Sequence, residues 1–171
     1  MRRRAVLAGA VLLLAGCGAP EQETTAAWDP PDSDEKAVPA TLAFAGKTLD
    51  GKPYEGSMLA GKPTILWFWA PWCATCASEA QSVRDLEEQY RGKVNFLGIA
   101  GLGDNKAMHE FVRDFELSAV PQLDDQAGVI WKKFKITEQS LYVVLDQAGQ
   151  IRKTGYLDDL QLTAEVKALA V

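Results

Sequence analysis

The run Thr64-Ile65-Leu66-Trp67-Phe68-Trp69, followed at once by Ala70-Pro71-Trp72-Cys73-Ala74-Thr75-Cys76, constrains this chain more than any other segment. A short stretch that is apolar at nearly every position, bounded by Pro63 and Pro71, reads as a central strand buried on both faces. Beyond it Ala80, Val83, Leu86 and Tyr90 recur at helical spacing, with Arg84, Glu87, Glu88 and Arg91 free to face water. The pattern predicts a helix from about Cys73 to Tyr90. A Cys-x-x-Cys at a strand-to-helix junction sets one thiol at the helix N-terminus and the other three residues on, on the same face. Two sulfurs so placed can close a small disulfide and open it again.

The third cysteine belongs to a different signal. Residues 2–4 are arginines, Ala5 to Leu14 is an apolar run, and Leu14-Ala15-Gly16-Cys17 follows. A basic start, a short apolar stretch and small residues before a cut describe a secretory signal. With cysteine at the cut it has the form of a bacterial lipoprotein signal over residues 1–16, with Cys17 acylated as the new N-terminus. The apolar run falls short of the ~20 residues needed to cross a bilayer. Export places Cys73 and Cys76 in a compartment where disulfides persist. A disulfide across so small a loop adds little chain-entropy stabilisation, so chemistry explains the pair better than structure does.

Cleavage of 16 residues from 171 leaves 155, which suits one domain and a tail. The formal net charge of −5 becomes −8 once the three signal arginines leave. So acidic a chain does not suit nucleic acid or an anionic lipid surface. Its membrane contact would be the lipid. Residues 17–40 carry four prolines and six acids (Glu21, Glu23, Asp29, Asp32, Asp34, Glu35) against Lys36, with Trp28 the one large aromatic. Such a segment cannot bury enough surface to fold and reads as a disordered tether. A coil of about 24 residues spans roughly 25–30 Å root-mean-square.

The folded domain is assigned to residues 41–171. Leu42 to Leu49 and Tyr54 read as short strands around Asp50-Gly51, an N-terminal extension. Val94 to Ala100 is the next strand. Asp104 or Asn105 can cap a helix whose core stripe is Met108, Phe111, Val112 and Phe115. Val129 to Phe134 is strand or short helix. Leu141 to Leu145 and Gln150 to Gly155 form a hairpin around Asp146-Gln147-Ala148-Gly149, and a last helix carries Leu162, Val166 and Leu169. Strands alternating with helices predict an α/β domain, a central mixed sheet flanked by helices with a hairpin at one edge.

In thiol–disulfide exchange the thiolate is the nucleophile, and a helix N-terminus favours negative sulfur. Cys73 is therefore the candidate attacker and Cys76, one turn in, the resolving thiol. Ala74 and Thr75 lie between them and tune the pair. A structural or catalytic zinc site needs three or four protein ligands. No second cysteine pair exists, and the single histidine, His109, falls beside the apolar stripe of its helix, toward water. A Cys-His hydrolase would need His109 at the thiol, and a peroxidase needs a different local pattern around its cysteine.

The chain resembles the extracytoplasmic thioredoxin-like proteins of the TlpA/ResA/DsbE group over about residues 41–169. Gly61-Lys62-Pro63, then Phe68-Trp69-Ala70-Pro71-Trp72-Cys73-Ala74-Thr75-Cys76, matches the signature of that group. Pro121-Gln122-Leu123-Asp124 with Gly128-Val129-Ile130-Trp131 is most similar to a secreted DsbE-like branch. The resemblance implies a thioredoxin-like fold, no bound organic cofactor, client proteins with cysteine thiols or disulfides, and a membrane partner that resets the pair; the scarcity of ligands argues for no metal. The DsbE-like branch is associated with oxidising its substrates, the TlpA and ResA types with reduction, so the direction stays open. Glu79 matches an acid that ResA-like members carry three residues after the second cysteine. It is expected to be a half-buried proton acceptor or a solvated helix glutamate. Trp67 stands where typical thioredoxins hold a buried Asp. Trp72, beside the attacking sulfur, is a candidate for the substrate surface together with Ala74, Thr75 and Ser140.

One departure from the family matters. Thioredoxin-like folds place a cis-proline opposite the sulfurs, and here the stretch reads Ile136-Thr137-Glu138-Gln139-Ser140-Leu141. Ser140 takes the proline's place. A non-proline cis bond costs about 2.5–4 kcal/mol, which argues for a trans Gln139–Ser140 bond and a reshaped loop. Ser140 is expected to offer its hydroxyl to Cys73 or to a substrate. The missing proline also motivates an alternative reading, a copper chaperone or a redox-inactive thioredoxin-like binding module, although further strong ligands are scarce.

Overall fold

A computed structural model describes residues 38–171. The signal segment, Cys17 and most of the tether lie outside the described residues. After a 3₁₀ turn at Ala40–Leu42, strands β1 (Ala45–Lys47) and β2 (Pro53–Glu55) pair antiparallel. This N-terminal extension is a sheet of its own, bridged to the main sheet by Thr48 opposite Leu123. The main sheet contains β3 (Thr64–Trp69), β4 (Asn95–Ala100), β5 (Gln122–Asp124), β6 (Leu141–Leu145) and β7 (Ile151–Gly155). Its order is β5-β4-β3-β6-β7; β3, β4 and β5 run parallel, β6 pairs antiparallel with β3, and β7 pairs antiparallel with β6. Between these strands lie α1 (Ala74–Tyr90), α2 (Asn105–Asp114) and α3 (Val129–Lys133), and α4 (Asp159–Leu169) closes the chain.

β3 is central, and all six of its residues are buried. The alternation of the strand sends Ile65, Trp67 and Trp69 to one face and Leu66 and Phe68 to the other. On the first face they meet Ala80, Val83 and Leu86 of α1, Met108 and Phe111 of α2, and Leu162, Val166 and Leu169 of α4. On the second face Leu97, Ile99, Val143 and Leu145 pack with Ile130, Trp131 and Phe134 and with Leu42 and Leu59 from the N-terminal segment. Trp69 stacks on Phe111 at 4.4 Å and Trp67 on Trp69 at 5.7 Å. Each such aromatic buries about 150–250 Å², worth up to several kcal/mol at about 25 cal/mol per Å². That packing fixes the C-terminal end of β3, from which the cysteine segment departs.

Several local expectations change. β5 was not foreseen as a strand; it adds to the edge of β4, where Trp69 Nε1 donates to Gln122 Oε1 at 2.9 Å. The absence of a side chain at Gly98 leaves room for that glutamine. Val129–Lys133 is helical because the buried Asp125 carboxylate accepts from the backbone N–H groups of Val129, Ile130 and Trp131, capping the turn. Glu87, expected to face water, is buried and held by two hydrogen bonds from Arg91. His109 is half-exposed, as its place beside the stripe suggested, with Nε2 3.1 Å from the Leu49 carbonyl oxygen. α2 is capped by Asp104, whose carboxylate accepts from Ala107 N–H.

Candidate active site

The chain leaves β3 at Trp69, turns through Ala70-Pro71-Trp72 and enters α1. Cys73 is the N-cap of the helix, in extended conformation, and its Sγ accepts the Cys76 N–H at 3.0 Å. Cys73 and Cys76 are joined as a disulfide across a Cα–Cα distance of 5.2 Å. The sulfur that caps the helix faces an unpaired N–H and the positive end of the helix dipole, both of which stabilise negative charge on it after reduction. Cys73 keeps 5 % of its surface exposed, whereas Cys76 keeps none. Cys73 is therefore the more exposed of the two. Ala74 and Thr75, between the two sulfurs, are exposed.

Trp72 is 61 % exposed, and its Nε1 donates to the Leu102 carbonyl at 2.6 Å. Leu102 is 53 % exposed and has a φ of 54°, a left-handed conformation that costs a leucine about 1–2 kcal/mol. A side chain on Gly103 would collide with Pro71, so the loop after β4 lies directly against the turn before Cys73. Two exposed apolar side chains, Trp72 and Leu102, are thus linked, Trp72 being next to Cys73 in the chain. Leu102 was missed in sequence. Its one signal is the spacing Gly101-Leu102-Gly103 after a strand, where small residues mark a close backbone approach.

One turn of α1 beyond Cys76, Glu79 is 3 % exposed, not half-buried and not solvated. Its Oε2 accepts from Trp67 Nε1 at 2.9 Å and its Oε1 from Ser140 Oγ at 2.5 Å. Loss of water around the carboxyl pushes its pKa above the usual carboxylate range. The hydrogen bonds from Ser140 and Trp67 oppose that rise, and the charge of Asp159 adds to it. The Tyr142 hydroxyl is buried beside this carboxyl without a hydrogen-bond partner of its own. Burial and the nearby Glu79 charge hold its pKa far above that of a free tyrosine.

Ser140 corrects the sequence reading. Its hydroxyl is turned to Glu79 rather than to Cys73 or a substrate, and the residue is 7 % exposed. No cis peptide bond occurs among the described residues, so the Gln139–Ser140 bond is trans. Ser140 has a φ of 64° and donates its N–H to the Phe68 carbonyl at 2.8 Å. A proline could do neither, since its ring holds φ near −65° and it has no N–H. The loop is thus rebuilt around the serine.

Among the described residues no three His, Cys, Asp or Glu side chains gather as a metal-binding group. A groove of about 640 Å³ lies between Ala45, Leu49, Asp124 and Ile130, and neither Cys73 nor Cys76 lines it.

The family model for the AhpC/TSA family matches residues 36–159. The chain belongs to the AhpC/TSA family. Within it, the chain is similar to the soluble secreted antigen MPT53 of Mycobacterium tuberculosis, 39% identical over 107 residues, which are 63% of this chain and 61% of that protein. It therefore spans about three fifths of the length of that curated relative. Among solved structures, MTB dsbF in its mixed oxidized and reduced forms superimposes with a TM-score of 0.73 at 42% identity, covering 77% of this chain and 98% of that one. A secreted Mycobacterium tuberculosis disulfide oxidoreductase homologous to E. coli DsbE superimposes with a TM-score of 0.68 at 35% identity, covering 80% and 100%. These likenesses establish the thioredoxin-like α/β fold expected from the sequence, and they agree with the resemblance to the DsbE-like branch.

Proposed function

We propose that the protein is an extracytoplasmic thiol–disulfide oxidoreductase, tethered to the membrane, that exchanges disulfides with secreted or membrane-associated protein thiols through Cys73 and Cys76. The observation that carries this reading is the disulfide at the N-terminus of α1, with Cys73 as the helix cap and the more exposed of its two sulfurs. In the reducing direction the Cys73 thiolate attacks a client disulfide, forming a Cys73–client bond and releasing one client thiolate. Cys76 sulfur then attacks Cys73 sulfur, the internal disulfide forms, and the second client thiolate leaves. Two electrons pass from the pair to the client, and the oxidising direction reverses each step. Trp72, Ala74 and Thr75 contact the client, with Leu102 extending that contact. Glu79 takes the proton of Cys76.

The domain organisation belongs to the same reading: a lipoprotein signal over 1–16, lipid on Cys17, a tether over 17–40 and the catalytic domain over 41–171. The chain would then sit at the outer face of the cytoplasmic membrane and be reset there by a membrane redox partner. The names of the relatives support export, since MPT53 is described as soluble and secreted. The anchor rests on this chain's own Leu14-Ala15-Gly16-Cys17.

Replacement of the cysteines tests the activity. Cys73→Ala should abolish exchange with a protein disulfide, and Cys76→Ala should accumulate mixed disulfides with clients, visible on non-reducing gels. Full exchange by Cys73→Ala would refute the assignment. The reduction potential of the pair then decides direction: a value near −120 mV marks an oxidant and one near −270 mV a reductant.

A further inference from the structure

The Glu79 carboxyl has no cationic partner: none of the ion pairs among the described residues includes it. The groups facing it are Trp67 from β3, Ser140 from the loop before β6, Tyr142 from β6 and Asp159 from α4, with Tyr156 behind Tyr142 and Cys76 one turn away on its own helix. Asp159 repels negative charge there, and the Tyr142 hydroxyl lies beside the carboxyl without a well-formed hydrogen bond to it. Two neutral donors, Trp67 Nε1 and Ser140 Oγ, hydrogen-bond the carboxylate, and the Tyr142 hydroxyl beside it supports its charge more weakly. The serine is itself held from two sides, by its N–H on Phe68 O and its hydroxyl on Glu79 Oε1. That double anchorage maintains a left-handed backbone that a serine seldom adopts.

We infer that Ser140 is a positioning residue for the exchange reaction: its hydroxyl orients the Glu79 carboxylate and keeps it charged so that it can take the proton of the Cys76 thiol. This rests on the oxidoreductase reading above. In the step, the Cys76 S–H proton moves to Glu79, the resulting thiolate forms the bond to Cys73 sulfur, and the Cys73–client bond breaks with its electron pair on the client sulfur. The proton then leaves Glu79 for the client thiolate or water. Burial works against the charged form of Glu79 and the serine hydroxyl works for it, so the serine decides the lowest pH at which the relay runs.

Two substitutions in the full chain remove the hydroxyl with opposite effects on the backbone. Ser140→Gly relieves the left-handed strain and Ser140→Ala keeps it, so an effect common to both belongs to the hydroxyl. The midpoint of Glu79, followed by carbon-13 NMR of its carboxyl in the disulfide form, should rise in both variants. Exchange with a protein disulfide should fall about tenfold near pH 6 and stay within about twofold near pH 9, as expected for loss of one hydrogen bond to a charged group. In a Glu79→Gln background Ser140→Gly should leave the pH profile unchanged. A Glu79 midpoint that stays in place, or one that rises while the acid limb of exchange does not move, overturns the inference. Equal movement of the limb in the Glu79→Gln background overturns it as well. A wild-type chain that exchanges no disulfide at any pH refutes the oxidoreductase reading instead, and the NMR midpoint still reports whether Ser140 supports the carboxylate.

Discussion

Trp67 donates its indole N–H to Glu79 Oε2 at 2.9 Å, tying the middle of β3 to the second turn of α1. The tryptophan occupies the strand position where typical thioredoxins hold a buried acid. Here the acid comes from the helix and the strand supplies its donor. Burial of a carboxylate without a cation is costly, and two short hydrogen bonds offset part of that cost.

Trp67→Phe tests that contact. The ring stays and the donor goes. The variant should lose about 1–3 kcal/mol of stability, below the range for truncating a buried tryptophan to alanine, from lost volume and an unpaired carboxyl oxygen. Exchange should also weaken most on the acid side of its profile. Denaturant unfolding and the pH profile check the two effects separately.

Glu79 carries a pH signature in stability. Its folded pKa is raised above the ordinary 4.5 by burial. The folded protein therefore binds the proton more tightly than the unfolded chain. The associated stability is fully present below the unfolded value and is lost as pH rises through the folded one. Glu79→Gln mimics the protonated acid, so its melting temperature should exceed wild type at pH 7, with the gap closing toward pH 4. A constant gap, or a wild type that melts higher at pH 7, contradicts this.

Leu102→Gly should separate client capture from chemistry. Glycine accepts a φ of 54° without strain, so folding should hold or improve by up to about 1 kcal/mol. The exposed apolar surface of Trp72 and Leu102 shrinks, and the second-order rate with a protein disulfide should fall several-fold. The rate with a small disulfide such as oxidised glutathione should stay near wild type. A parallel loss with both substrates argues against a role for Leu102 in client capture.

Cys17→Ala should end incorporation of radiolabelled fatty acid in cells expressing the full chain and move the protein from the membrane to the soluble fraction. Undiminished labelling would remove the lipid anchor from the proposal.

The cysteine junction, the buried central strand, the apolar faces of α1 and α2 and the β6–β7 hairpin were legible in the residues, because each is set by interactions within about ten positions: alternation along β3, three-to-four spacing along the helices, a cap at Cys73 or Asp104. The candidate redox pair, Cys73 and Cys76, needed nothing more than that. Glu79 had the right spacing, yet helical periodicity alone did not separate a buried acid from a solvated one. Its burial follows from Trp67 and Ser140 closing over it, and the serine lies 61 positions away. Leu102 reaches Trp72 across 30 positions because β3 and β4 are parallel neighbours that end side by side. Sequence by itself therefore determined where the paired sulfurs are and which one caps the helix. The order of strands in the sheet decided what surrounds them, since those contacts join segments that only the folded sheet brings together.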